Sequence, residues 1–296
     1  MASAELQMVI DLLRAQPIPR DANYVDQRAA MESLTGMAPG PDDVTFTPVD
    51  AGGRPAEWVA AAGASDDRAL LYLHGGGYCI GSIATHRHLA ADLSRAAGMR
   101  VLLVDYRLAP EHPFPAAVED AVAAYRFLLD SGYDRRRLAI AGDSAGGGLT
   151  AATLVALRDR DLPLPAAAVL LSPWLDLSQS GESMDSKADA DPIVQRVPLQ
   201  RMADAYLGGA HAETPLASPL FADLRHLPPL LIHVGTAETL LDDSRRFAER
   251  ARAAGVDATL DVWDDMVHVW HAFGFILPEA RDAHGRIGAF LRQHVG

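Results

Sequence analysis

Two short runs in this sequence have the residue types and spacing for chemistry. The first is Gly142-Asp143-Ser144-Ala145-Gly146, entered from Leu138-Ala139-Ile140-Ala141 and continued by Gly147 and Gly148. A G-x-S-x-G run between a strand and a helix holds its serine on a turn too sharp for bulky neighbours, hence the flanking glycines. The helix that follows aims unpaired amides at any anion formed beside the serine. The second run is His74-Gly75-Gly76-Gly77-Tyr78, directly after Ala69-Leu70-Leu71-Tyr72-Leu73. Attack of a serine on an acyl carbon passes through a tetrahedral oxyanion, which needs preorganised N–H donors. Glycines let a backbone turn such donors inward. Ser144 is the predicted nucleophile, and the amides of Gly76, Gly77 and Ala145 are the predicted oxyanion donors. A G-x-S-x-G run arises by chance in about one chain in ten of this length, so the serine motif alone decides nothing. The glycine run tips the balance. It lacks the Lys-Ser/Thr end of a phosphate loop and the G-x-G-x-x-G spacing of a dinucleotide loop, which leaves acyl transfer.

Both runs must be carried on strand ends. Short apolar stretches rich in branched residues predict eight strands: Val44–Val49, Glu57–Ala61, Ala69–His74, Arg100–Tyr106, Leu138–Gly142, Ala167–Ser172, Leu230–Val234 and Thr259–Trp263. Helices are predicted at His86–Ala97, Ala116–Leu129, Ala145–Arg158, Asp243–Ala254 and Glu279–His294. This alternation implies right-handed crossovers and a mostly parallel eight-stranded sheet with helices on both faces. Runs such as LLYLH, VLLVD and VLLS are apolar at consecutive positions, as strands buried on both faces require. Two stretches break the alternation. In residues 1–43, Leu6, Val9, Ile10 and Leu13 fall at helical spacing, as do Met31 and Leu34. The stretch at about 179–209 starts polar and Ser/Asp-rich, then turns helical through Leu199, Met202 and Tyr206.

Longer segments carry a family pattern: HGGGYCIGS (His74–Ser82), DYRLAPEHPFPAAVED (Asp105–Asp120), GDSAGGGL (Gly142–Leu149), SPL (Ser218–Leu220), LPPLLIHVGTAETLLDDS (Leu227–Ser244) and MVHVW (Met266–Trp270). From about residue 44 to the C-terminus the chain resembles the hormone-sensitive-lipase-like (bacterial family IV) esterases of the α/β-hydrolase superfamily. The resemblance implies an α/β-hydrolase fold with a helical cap, a Ser–carboxylate–His triad acting through an acyl-enzyme, short to medium acyl esters as substrates, and neither cofactor nor metal. The cap is expected in residues 1–43 and about 179–209, the catalytic core in 44–178 and 210–296, all in one structural domain. Such short cap segments suit C4–C8 chains or a lactone ring better than a long fatty chain. Met37, Tyr78, Trp174, Met202, Tyr206 and Leu207 are the candidate pocket walls.

In this fold the triad follows the order Ser, acid, His, each at a strand end. Where the family carries Asp-Pro-Leu-x-Asp, its first Asp the triad acid, this chain has Glu238-Thr239-Leu240-Leu241-Asp242. Glu238 is therefore the predicted acid, with Asp242 the alternative. A glutamate orients imidazole as competently as an aspartate if the loop absorbs its extra methylene. Of eleven histidines, His86, His88 and His112 precede the serine and His233 precedes the acid. His268 follows the last strand and the Asp264-Asp265-Met266 turn and is the predicted base; His271 is the rival, read as structural. The His268-x-x-His271 spacing lacks the Glu of HExxH or a nearby Cys, so it is a poor metal signal. Asp143 diverges from its neighbour on the turn and is expected to tune charge only. Asp243 reads as a surface carboxylate at a helix N-terminus, Arg107 and Glu111 as ion-pair formers, and Cys79 as a small buried core residue. The same triad would also support amide or formamide hydrolysis. Receptors related to the family that have lost the histidine offer a non-catalytic alternative, against which His268 stands.

The 296 residues carry a formal charge of −13 with no basic cluster, so neither nucleic acid nor an anionic membrane surface is expected as a partner. The expected partner is a small-molecule ester, and an edge-strand homodimer, common in the family, is the assembly to look for. Cys79 is the single cysteine, which excludes an intrachain disulfide and fits a reducing cytoplasm. Met1–Gln16 carries Glu5 and Asp11 and lacks the basic start and cleavage site of a signal peptide. No apolar run approaches the ~20 residues of a membrane span. A cytoplasmic protein without stable membrane insertion is the expectation.

Overall fold

The computed structural model describes residues 3–15, 22–35 and 41–296. Its strands are β1 (Val44–Asp50), β2 (Pro55–Ala61), β3 (Ser65–Leu73), β4 (Met99–Val104), β5 (Leu138–Asp143), β6 (Ala167–Leu171), β7 (Leu230–Gly235) and β8 (Ala258–Trp263). They form one sheet in the order β1-β2-β4-β3-β5-β6-β7-β8. The β1–β2 and β2–β4 pairs are antiparallel, and every pair from β4 to β8 is parallel. The chain thus has the α/β-hydrolase fold, with chain order reversing between β3 and β4. Each predicted strand is present. The fourth stops at Val104 rather than running on to Tyr106, whose ring turns back to stack on His74 with centroids 4.3 Å apart.

The apolar runs divide their side chains between two cores, as period-two alternation requires. Leu71 and Leu73 of β3, Leu102 and Val104 of β4, and Ile140 of β5 enter one cluster. Leu70 and Tyr72, Val101 and Leu103, and Ala139 and Ala141 enter the other. Helices α4 (Ala116–Asp130), α5 (Ala145–Asp159) and α8 (Leu241–Ala253) cover the first face; α3 (Ile83–Ala97) and α9 (Pro278–His294) cover the second. Each fully buried leucine contributes about 2 kcal/mol of transfer free energy, so both faces stabilise the sheet.

The stretches outside the alternation form α1 (Ala4–Ala15), α2 (Tyr24–Thr35), the single turn α6 (Ser183–Ser186) and α7 (Arg196–Leu207). They meet the loops that leave the C-terminal ends of the strands. Leu6 of α1 packs with Met266, Val267 and Trp270 beyond β8. Arg28 of α2 donates to the carbonyls of Cys79 and Ala109, 2.8 and 2.9 Å away, and pairs with Glu111 at 2.8 Å. Tyr206 of α7 stacks on Tyr78 with ring centroids 3.7 Å apart. Arg107 pairs with Asp120 at 2.7 Å. Among the described residues no helix is long and apolar enough to cross a membrane.

One expectation is corrected. Asp243 does sit in the first turn of α8, but it is buried, and its Oδ2 accepts from the amides of Leu175 and Asp176 at 2.8 and 2.9 Å. Burial pushes its carboxyl up to about 8. A helix-position rule sees only the turn that carries the residue, whereas the loop after β6 covers that turn and removes the solvent.

Candidate active site

Ser144 lies between β5 and α5 with φ 53° and ψ −121°, a conformation that costs a non-glycine residue about 1–3 kcal/mol. Surrounding bonds impose it. The Ser144 amide donates to Leu171 O at 2.8 Å, and its carbonyl accepts from the amides of Trp174 at 2.9 Å and Gly148 at 3.1 Å. The glycines that follow are needed for close approach. A methyl on Gly146 would collide with the carbonyls of Leu73 and His74, and one on Gly148 with Trp174 O. The serine side chain itself is half-buried at the surface of this packed turn.

The loop after β3 holds Gly76 at φ 113° and Gly77 at φ 61°. Its shape is fixed by the carbonyl of Gly76, which accepts from the amides of Cys79 and Ile80 at 3.1 and 2.9 Å. Among the described residues no acceptor is bonded to the amides of Gly76 or Gly77. Ala145 is the first residue of α5, so its amide has no partner within the helix. Asp143 anchors the loop from behind, and sequence reasoning had given it no such part. Its Oδ1 accepts from Tyr72 OH at 2.7 Å and from the amide of Gly75 at 3.1 Å, while Oδ2 lies 3.4 Å from His86 Nε2. Burial alone would raise this carboxyl; the His86 and Tyr72 contacts outweigh it and hold it below its ordinary value. His74 is pushed down to about 3 by burial and by His86, so it serves as a neutral spacer.

Of the two carboxylates left open by the sequence, Glu238 reaches His268: its Oε2 is 2.9 Å from His268 Nδ1. The other oxygen, Oε1, accepts from Ser172 Oγ at 2.8 Å and from the amide of Gly235 at 2.6 Å. Asp242 instead accepts from the amide of Ser183 at 2.8 Å. Both Glu238 and His268 are buried. Burial pushes the Glu238 carboxyl up, against the pull of His268 and the Gly235 amide. Burial alone would lower the His268 imidazole, but Glu238 beside it overrides this and holds it above its ordinary value. With Nδ1 committed to the carboxylate, Nε2 is the nitrogen available to exchange a proton. His271 is buried elsewhere, its Nε2 3.2 Å from His233 Nδ1; burial and His233 keep it well below the ordinary imidazole value.

Two further residues belong to this region, and neither lies in a sequence motif. Ser172 bridges the Glu238 loop and the His268 loop, because its Oγ also accepts from the amide of Val269 at 3.1 Å. Asp191 is buried near Glu238 and accepts from the amides of Thr239, Ile193 and Val194, each at 2.9 Å. The position of Ser172 at the end of a parallel strand was the one available hint. Asp191 lies in a Ser/Asp-rich stretch where nothing local sets it apart.

The candidate pocket residues are placed unequally. Met202 is half-buried directly over the glycine loop, where a methyl on Gly77 would strike its sulfur. Tyr78, Trp174 and Tyr206 are fully buried in one aromatic cluster, Tyr206 stacked on Tyr78 and Trp174 tilted against it, and Leu207 is buried at the end of α7. Met37 lies outside the described residues. Cys79 is buried, with its thiol pushed up to about 12 by burial. Among the described residues no group of three His, Cys, Asp or Glu side chains could hold a metal ion.

Residues 70–272 match the sequence profile of the alpha/beta hydrolase fold family. An acetyl-hydrolase of Streptomyces hygroscopicus is 47% identical over 300 residues, covering 100% of this chain and 99% of that protein. An esterase of Acinetobacter venetianus is 35% identical over 264 residues, covering 89% of this chain and 87% of its own length. Among solved structures, an esterase from the bacterial hormone-sensitive lipase family superposes with a TM-score of 0.98 at 54% identity, with 100% of both chains covered.

Proposed function

Because this chain belongs to the alpha/beta hydrolase fold family, among the bacterial hormone-sensitive-lipase-like carboxylic ester hydrolases, we propose that it cleaves short to medium acyl esters or lactones with Ser144, His268 and Glu238 as its triad. The observation that carries this reading is the 2.9 Å bond between Glu238 Oε2 and His268 Nδ1, tied through Ser172 to the strand end that holds Ser144. Ser144 Oγ attacks the ester carbonyl while His268 Nε2 takes its proton. The amides of Gly76, Gly77 and Ala145 receive the oxyanion. His268 then protonates the departing alcohol, leaving an acyl-enzyme, and a water deprotonated by His268 releases the acid. Glu238 keeps the imidazole in the right tautomer and stabilises its charged form. Helices α1 and α2, with the stretch at about 179–209, serve as the cap over this centre.

The pH dependence follows from the acid–base pair. His268 must be neutral to accept the serine proton, and Glu238 raises its affinity for protons. On the acid side kcat/KM should therefore fall through a midpoint above the ordinary imidazole value of 6.5. A midpoint well below that value, measured by initial rates across buffers of constant ionic strength, would remove Glu238 from the role of charge partner.

Short acyl groups are favoured for two reasons. Met202 closes the space above the glycine loop, and the Streptomyces relative carries the name acetyl-hydrolase. A panel of p-nitrophenyl esters together with simple lactones tests the assignment: activity should peak within about C4–C8 and be negligible on C16. Met202→Ala opens that space, and removal of a side chain lining an acyl site changes discrimination by about 10-fold or more. The ratio of octanoyl to butyryl kcat/KM should rise accordingly. A wild-type optimum at C16, or a Met202→Ala enzyme with an unaltered ratio, argues for an acyl site elsewhere.

A further inference from the structure

Ser172, just after β6, and Val269, directly after His268, have backbones in the left-handed region, at φ 46° and 51°. That region is uncommon for serine, and for a β-branched valine it is an outlier that surrounding structure must impose. The two residues are bonded to each other, the Val269 amide donating to Ser172 Oγ at 3.1 Å. The same hydroxyl gives its proton to Glu238 Oε1 at 2.8 Å. Ser172 is fully buried, and its hydroxyl both donates and accepts within this pair of partners. Its backbone neighbours reach the nucleophile: Leu171 O accepts from the Ser144 amide, and the Trp174 amide donates to Ser144 O. Its own amide donates to His233 O on β7, the strand that leads to the acid, at 2.8 Å.

We propose that Ser172 is a positioning residue for the triad: its hydroxyl, clasped to the Val269 amide, locks the Glu238 carboxylate against His268 and sets the acid, base and nucleophile loops relative to one another. The inference rests on the reading of Glu238 and His268 as acid and base. A glutamate has one more torsion than the aspartate usual at this position, and a carboxylate held by His268 alone could swing about that contact. Ser172 and the Gly235 amide pin the opposite oxygen and remove that freedom. The other carboxylates whose fields reach the pair are Asp191 and Asp143. Asp191 is committed to the amides of Thr239, Ile193 and Val194, and Asp143 to Tyr72, Gly75 and His86. As acceptors, neither can replace a donor to Oε1.

The test is a double-mutant cycle on hydrolysis of p-nitrophenyl butyrate, using Ser172→Ala, Ser172→Gly, Glu238→Ala and the two combined variants. Glycine tolerates φ 46° without strain, so Ser172→Gly removes the hydroxyl while relieving the backbone, and it covers the case of an alanine variant that folds poorly. Loss of a hydrogen bond to a charged group should lower kcat by about 10- to 100-fold in either variant. KM should stay within about threefold, because the defect lies in the transition state rather than in binding. With one donor fewer the carboxylate is more basic and holds imidazolium more tightly, so the acid limb of the rate profile should move to higher pH. In the Glu238→Ala background the same substitutions should cost less than about threefold, since the group they act through is gone. A Ser172→Gly enzyme with wild-type kcat, or losses that multiply in the combined variants, overturns the positioning role. If Glu238→Ala keeps wild-type activity, the triad assignment falls and this inference with it. A crippled Glu238→Ala beside a fully active Ser172→Gly removes the clasp alone.

Discussion

Ser144→Ala should lower kcat on p-nitrophenyl butyrate by about 10⁴- to 10⁶-fold, the range expected when the nucleophile of a serine hydrolase is deleted. The alanine keeps the β-carbon, and the conformation at φ 53° is imposed by backbone bonds to Leu171, Trp174 and Gly148 that involve no side-chain oxygen. Its circular dichroism and melting temperature should therefore match wild type. Burst kinetics give a second reading of the same variant: wild type should release p-nitrophenol as the acyl-enzyme forms, and Ser144→Ala should release none. A folded Ser144→Ala protein that retains a tenth or more of the wild-type rate would refute the nucleophile assignment. The oxyanion amides remain in that variant, so a small residue of activity above the uncatalysed rate is consistent with it.

The second large effect concerns the acid. Glu238→Gln should reduce kcat by about 10³- to 10⁴-fold, because an amide can offer His268 the wrong partner and stabilises no positive charge on the ring. It carries a signature beyond the loss. Without the carboxylate, burial, the largest influence on His268 and one that lowers its affinity for protons, is opposed only by the weaker fields of Asp191 and Asp143. The residual activity should then persist to lower pH than in wild type, the opposite direction from the Ser172 variants. Asp242→Asn is the matched control. Asp242 accepts from the Ser183 amide, 59 positions away in sequence, and has no bond to His268. It should cost no more than about 1 kcal/mol of stability, with kcat near wild type. If Asp242→Asn were the crippled enzyme and Glu238→Gln the active one, the acid would have to be reassigned.

The parts of the molecule that could be read from sequence are those whose signals are local. The sheet was legible because Leu70 to Leu73, Val101 to Val104 and their equivalents must be apolar on both faces. Ser144 and the glycine loop were legible because a sharp turn and an inward-facing backbone each demand glycine at fixed offsets. Glu238 and His268 stood out by chain order and strand ends, and the contact between their side chains sets Glu238 apart from Asp242. What escaped was the pairing of distant residues. Ser172 meets Glu238 and Val269, Asp143 meets Tyr72 and Gly75, and Asp191 meets Thr239, in each case across at least 48 positions of sequence. No composition or period marks a serine that will bridge two loops. Asp243 was misread for a related reason: the backbone that buries it comes from the Leu175–Asp176 loop, which a helix-by-helix reading leaves out.

The glycines at the start of α5 bear on how such an enzyme can diversify. Gly146 abuts the carbonyls of Leu73 and His74, Gly147 abuts Pro173, and Gly148 abuts the carbonyl of Trp174. A methyl group at Gly146 would press on the strand end that carries the glycine loop, and one at Gly147 or Gly148 on the loop that leaves β6. Neither natural drift nor a mutagenesis library can explore new substrates from beneath the serine. Variation in specificity has to arrive from above, through α7 and its neighbours, where Met202 meets the loop by the end of a flexible side chain. Saturation of positions 142–148 should return almost nothing but inactive clones, while the same effort on α7 should return altered selectivity on an intact catalytic floor.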